Sequence, residues 1–180
     1  MTDPSPLVAT DRLLAFRTPA DPDDAYENRI HIPDADRHLA AWPKDAATFR
    51  RSFAGANLNL AYGSSKRTHY DLFTPKGGIE ASCGLAAFVH GGYWVALSKD
   101  DFSHMAAGLL ARGWAVAILG YTLAPQARIT QITQEISTAV EHLGKTGTGP
   151  LRLIGHSAGG HLVSRMMCDD ITFGLSLIHI

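Results

Sequence analysis

Apolar and polar positions follow two different rhythms along this chain, and the change of rhythm is its first structural signal. Up to about residue 57 there is little periodicity. "TPADPDD" and "HIPDADRH" carry turn chemistry, because proline fixes φ and aspartate bonds its own backbone. In that part, "AATFRRSFAG", Ala46 to Gly55, predicts a short helix stopped by glycine. From Asn57 the pattern sharpens. "LNLAYG" and "THYDLFTP" are short alternating runs, the second ended by Pro75 and the Gly77-Gly78 turn. "GLAAFVHGG", "WAVAILGY" and "PLRLIG" are continuous apolar runs, the signature of strands buried on both faces of a parallel sheet.

Helical spacing fills the gaps between these runs. "SKDDFSHMAAGLLARG" predicts a helix with Ser98 as N-cap, Asp101 completing a capping box, and Phe102, Met105, Ala106, Leu109 and Leu110 as its apolar stripe. "ITQITQEISTAVEHLG" puts Ile129, Ile132, Ile136, Val140 and Leu143 on one face. "GGHLVSRMMCDD" does the same with Leu162, Val163, Met166 and Met167. Alternating strands and helices predict an α/β fold: a mostly parallel sheet, helices on both faces, right-handed crossovers. Residues 57–180 then form the α/β domain, and residues 1–56 an N-terminal extension packed on it.

Composition narrows the function classes. A chain of 180 residues, 46% hydrophobic, can bury a core, and 16 basic against 17 acidic residues leave a formal charge of −1. No run of like charge points to nucleic acid or an acidic membrane surface. Cys83 and Cys168 lack metal-ligand or CxxC spacing and read as reduced thiols. The first residues lack a signal-peptide pattern, and no apolar run approaches the roughly 18 residues of a membrane span. The expectation is a soluble cytoplasmic protein that works on a small molecule, with no metal; a homodimer is compatible with the chain.

The chemistry gathers at two glycine motifs. Gly155-His156-Ser157-Ala158-Gly159 matches G-x-S-x-G, placed where a buried strand runs into a helix. Such a turn forces its middle residue into a strained conformation, and glycines two before and two after remove the collisions that side chains would cause. The result is an exposed Ser157 hydroxyl beside a helix N-terminus that favours developing negative charge. His90-Gly91-Gly92-Tyr93-Trp94 follows the first buried run. An acyl-transfer site needs about two backbone N–H donors in place before reaction; Gly92 and Tyr93 in this loop, and Ala158 after the serine, are the candidates. Tyr93 and Trp94 are also candidates for an aromatic substrate pocket or for packing.

With these residues in hand, the chain resembles the α/β-hydrolase superfamily, in particular the kynurenine formamidase (arylformamidase)-like esterases. "YENRIHIPDA", "YDLFTP", "FVHGGYW", "GWAVAILGYTLAP" and "GHSAGGHL" carry the resemblance, which spans roughly Tyr26 to Asp170. It implies Ser157 as nucleophile, Gly91, Gly92, Tyr93 and Ala158 as the oxyanion hole, and hydrolysis of a formamide or ester without metal or cofactor. The implied substrate is N-formylkynurenine, yielding kynurenine and formate.

A serine nucleophile needs a base. His156 points away from the hydroxyl beside it, His161 lies one helical turn on, and His90 opens the loop and braces it. His104 and His142 read as helix-surface positions; His31, His38 and His69 lie upstream with no geometry to test. In this fold the order is serine, acid, histidine, and only "ITFGLSLIHI" remains after Asp170. That is about one strand's length, with no acid between Asp170 and His179. Asp169 and Asp170 read as a solvated helix end. The acid and the histidine are therefore expected outside this chain, which reads as an N-terminal fragment of a serine hydrolase. A general carboxylesterase, and a non-catalytic binding protein on the same scaffold, remain open as alternatives.

Overall fold

The computed structural model describes residues 27–147 and 149–168. The expectations for Asp169, Asp170 and His179, and for the turns and resemblance before residue 27, lie outside these residues. The chain divides into two units at Leu39–Ala40. In the first, a 3₁₀ turn at Asn28–His31 precedes exposed ion pairs between Arg29 and Asp36 and between Asp34 and Arg37. Helix α1, Ala35–Ser52, runs through the boundary and contains Pro43. Proline has no N–H to give to the carbonyl of residue 39. The sequence pattern marked a helix from Ala46; α1 begins eleven residues earlier, in a stretch obscured by Pro33 and Pro43. Residues 40–56 belong to the larger unit.

That unit is built on a five-stranded sheet in the order β1-β2-β4-β3-β5. The strands are β1 Ala56–Ala61, β2 His69–Phe73, β3 Leu85–Val89, β4 Ala115–Leu119 and β5 Leu151–Gly155. β3 pairs parallel with β4 and with β5, whereas β1–β2 and β2–β4 are antiparallel. The sheet is thus mixed: the three continuous apolar runs form the parallel part, and the two alternating runs the antiparallel part. Period-two alternation sorts side chains onto two covered faces. Leu85, Ala87, Val89, Ala117 and Leu119 face helix α3, Ile129–Thr146, through Ile132, Ile136, Val140 and Leu143, and helix α4, Ala158–Arg165, through Leu162. Phe73, Phe88, Val116 and Ile118 face Phe102 and Ala106, with Trp42, Phe49 and Phe53 of α1 closing the layer.

Three departures from the sequence pattern have physical causes. The run from Ser98 is not one helix but 3₁₀ turns at Lys99–Asp101 and Ser103–Ala106, then the single α-turn α2 at Ala107–Leu110. Its start is as expected: the Asp100 N–H donates to Ser98 Oγ at 3.2 Å and the Ser98 N–H to Asp101 Oδ2 at 2.9 Å. Tertiary contacts then override helix propensity. Lys99 turns inward to a buried carboxylate, Asp71, at 2.8 Å, and Phe102 inserts between Trp42 and Phe88. Second, Met105, Ile129 and Met167, placed in apolar stripes by spacing, are exposed. Third, β5 is less buried than its composition suggests, with Arg152 exposed and a neighbour on one side among the described residues. No helix among the described residues is long and apolar enough to cross a membrane.

Candidate functional site

The connection from β3 to β4 runs along one face of the sheet, and α4, which follows β5, packs on the other. Loops leaving the carboxyl ends of β3 and β5 therefore diverge to opposite faces, and such a switch point opens a crevice. Both glycine motifs stand there. Ser157, between β5 and α4, has φ 53° and ψ −118°, a conformation that costs a non-glycine residue about 1–3 kcal/mol and persists only when its surroundings enforce it.

The surroundings are backbone. A Cβ on Gly159 would collide with the Val89 carbonyl, and one on Gly155 with the Gly159 carbonyl. Gly91 lies so close to the elbow that a Cβ there would stand 2.8 Å from the His156 oxygen and 3.0 Å from Ser157 Cβ. The His156 N–H donates to the Val89 carbonyl at 3.1 Å. The structure thus brings the two motifs into direct contact and leaves Ser157 exposed.

The loop itself winds left-handed. Gly92, Tyr93 and Trp94 have φ of 113°, 51° and 62°, and the Val95 and Ala96 N–H groups both donate to the Gly92 carbonyl, at 3.0 and 2.9 Å. The N–H groups of Gly92 and Ala158 have no acceptor among the described residues. Tyr93 is exposed at the lip, while Trp94 is half-buried, edge-on to His161 of α4 at 5.3 Å.

Of the histidines of the two motifs, His90 is enclosed, whereas His156 and His161 are exposed. His90 is fully buried, stacked on Tyr121 at 4.2 Å and facing Phe102 at 5.9 Å. Its Nδ1–H donates to the Gly91 carbonyl at 2.7 Å, and its own carbonyl accepts the Tyr121 hydroxyl at 2.9 Å. Burial pushes the His90 pKa down to about 4, so the ring is a neutral strut. His156 packs edge-on to Trp42 at 5.9 Å, on the aromatic face of the sheet, and His161 packs on Trp94. His142, expected at the helix surface, is instead half-buried, its Nε2 meeting the Tyr70 hydroxyl at 3.2 Å because α3 packs that edge toward β2.

Sequence reasoning missed the residues that hold the loop from behind. Arg67 donates from Nε to the Tyr121 carbonyl at 2.9 Å and from Nη2 to the Leu97 carbonyl at 2.6 Å. Glu135 of α3 accepts from both the N–H and the hydroxyl of Thr122, at 2.7 Å each. Neither residue belongs to a motif; the signal available was that Tyr121 closes an apolar run and is followed at once by polar Thr122.

A serine on a strained strand-to-helix turn, seated against a glycine loop at the carboxyl ends of parallel strands, is the arrangement of the α/β-hydrolase fold. The chain belongs to the BD-FAE family, which matches residues 70–169. It is 27% identical to a kynurenine formamidase of Salmo salar over 149 residues, 81% of this chain and 50% of that protein. A crystal structure from Silicibacter sp. TM1040, provisionally described as a thioesterase, is 50% identical with a TM-score of 0.76, covering 80% of this chain and 54% of that one. Esterase B from Lactobacillus rhamnosis shares the fold at 24% identity and a TM-score of 0.58, covering 78% of this chain and 52% of that one. The chain spans about half the length of the relatives it matches.

Proposed function

We propose that the protein is a serine hydrolase that opens a formamide or ester carbonyl with Ser157, and that an N-formylkynurenine-like aryl formamide is its substrate. The observation that carries this reading is the strained Ser157 backbone pressed against Gly91. In the reaction, Ser157 Oγ adds to the formyl carbon and its proton passes to a base. The oxyanion that forms takes hydrogen bonds from the Ala158 N–H and from the Gly92–Tyr93 loop. Collapse breaks the C–N bond, the arylamine leaves with a proton, and a formyl ester remains on Ser157. Water then attacks that ester, releasing formate and restoring the hydroxyl. The base is not assigned to the histidines of the two motifs. His90 is enclosed and neutral, His156 is turned to Trp42, and His161 to Trp94. The kynurenine formamidase relatives support the formamide substrate.

The Silicibacter structure favours a second reading, in which the same serine takes its acyl group from an ester or thioester. Steady-state rates on N-formylkynurenine, short p-nitrophenyl esters and a short acyl thioester separate the two. The first reading expects the highest kcat/KM on the formamide; a higher value on an ester or thioester transfers the assignment. In either case, measured on a chain that also carries a triad acid and histidine, Ser157→Ala should abolish fluorophosphonate labelling and lower kcat by about 10⁴-fold or more. Turnover retained in that variant would overturn the serine mechanism.

A further inference from the structure

On the other side of β3 from Ser157, where β2 begins and β4 ends, lies a cavity of about 330 Å³ that the hydrolase reading does not use. We propose that it is a binding site for a small oxyanion, a carboxylate or a phosphate group.

Its lining holds Lys66, Arg67 and Lys99 with the carboxylate Asp100; Lys99 is paired with Asp100 and with Asp71 behind it, so the unbalanced positive charge rests on Lys66 and Arg67. The decisive feature is Arg67. Its guanidinium is half-buried and fixed by two neutral acceptors, the Tyr121 and Leu97 carbonyls, with no carboxylate partner among the described residues. Those two bonds set the plane of the group and leave the Nη1 donors uncommitted. A cation drawn from water without a counter-charge is costly, and an incoming anion removes that cost through charge-assisted hydrogen bonds. Lys99 adds to the same end. Its ammonium gives one hydrogen bond to Asp71 and one to Asp100, both at 2.8 Å, and has a third proton to give. Asp71 lies behind Lys99, and its Oδ1 also accepts the Asn59 N–H at 2.9 Å.

His69 also stands in the wall. Gly120, also in the lining, is where the backbone after β4 approaches the start of β2: a Cβ there would meet the Arg67 carbonyl at 2.7 Å. The volume is at the small end of ligand pockets, suited to a compact anion rather than an extended one.

Isothermal titration of the 180-residue chain with inorganic phosphate, and separately with acetate, at an ionic strength held constant with chloride, tests the proposal. Saturable binding of one or both is expected, and which one binds identifies the anion class. Lys66→Glu, at an exposed position that leaves folding intact, should weaken it about tenfold or more. Arg67→Met should abolish it. Absence of binding by both anions, or an affinity unchanged in Lys66→Glu, would overturn the assignment whether or not Arg67→Met folds.

Discussion

The two flanks of β3 are built by different means. On the β5 side, alignment comes from backbone against backbone: Gly155, Gly159 and Gly91 let peptide groups approach where no side chain fits. On the β4 side, alignment comes from side chains reaching across to backbone and to one another, with Arg67 on two carbonyls, Tyr121 on a third, and Lys99 on Asp71. The first construction leaves Ser157 exposed; the second sets charged side chains around the cavity on the far side of β3. The serine flank is thus shaped by absent side chains, and the opposite flank by long ones.

This contrast gives a ranked set of outcomes. The largest belongs to the charged flank. Lys99→Met leaves Asp71 buried and unpaired, and should cost about 3–5 kcal/mol in chemical denaturation; adding Asp71→Leu should recover most of it. If the single variant is nearly neutral, side-chain pairing is not what organises that flank.

The next concerns the strut between the flanks. The His90 pKa is lowered by burial from 6.5 to about 4, so the unfolded chain binds its proton more readily than the folded one. The stability that comes from keeping the ring neutral is therefore complete above pH 6.5 and declines as pH falls toward 4. The loss is on the order of 3 kcal/mol. Melting curves across that range should show it, and His90→Asn should flatten the slope; an identical slope in the variant would place the acid sensitivity elsewhere.

The smallest effect sharpens the glycine flank. Gly159→Ala should cost about 2 kcal/mol because its Cβ meets the Val89 carbonyl. Gly160→Ala, whose nearest neighbour would be the Gly155 carbonyl at 3.5 Å, should instead stabilise α4 by up to about 1 kcal/mol. Equal melting temperatures for the two variants would contradict close approach as the reason for glycine at 159.

What the sequence made legible follows the same division. Glycines at fixed offsets around a serine, and a glycine pair after an apolar run, report local backbone needs, so the elbow and the loop could be read directly. The parallel strands could be read because burial on both faces leaves continuous apolar runs. The side-chain clamps could not. Arg67 sits in "SSKRT", a stretch with the composition of any surface turn, and Lys99 looks like a solvated helix start. Their partners, Leu97, Tyr121 and Asp71, are remote in sequence or give no pattern, so no local rule pairs them. The broken helix after Ser98 was hidden for that reason: its spacing is helical, and the contacts that interrupt it are tertiary.

Val89 gives the site a ruler. Its carbonyl accepts the His156 N–H and walls off Gly159, while its Cα pairs with Gly155 across the β3–β5 register. Because strand faces alternate with every residue, a one-residue slip of β5 would turn the elbow to the opposite side and separate Ser157 from Gly91. Alignment of the two motifs is therefore encoded in strand pairing. A single insertion within Leu151–Gly155 would therefore part the two motifs even if every residue of both were retained.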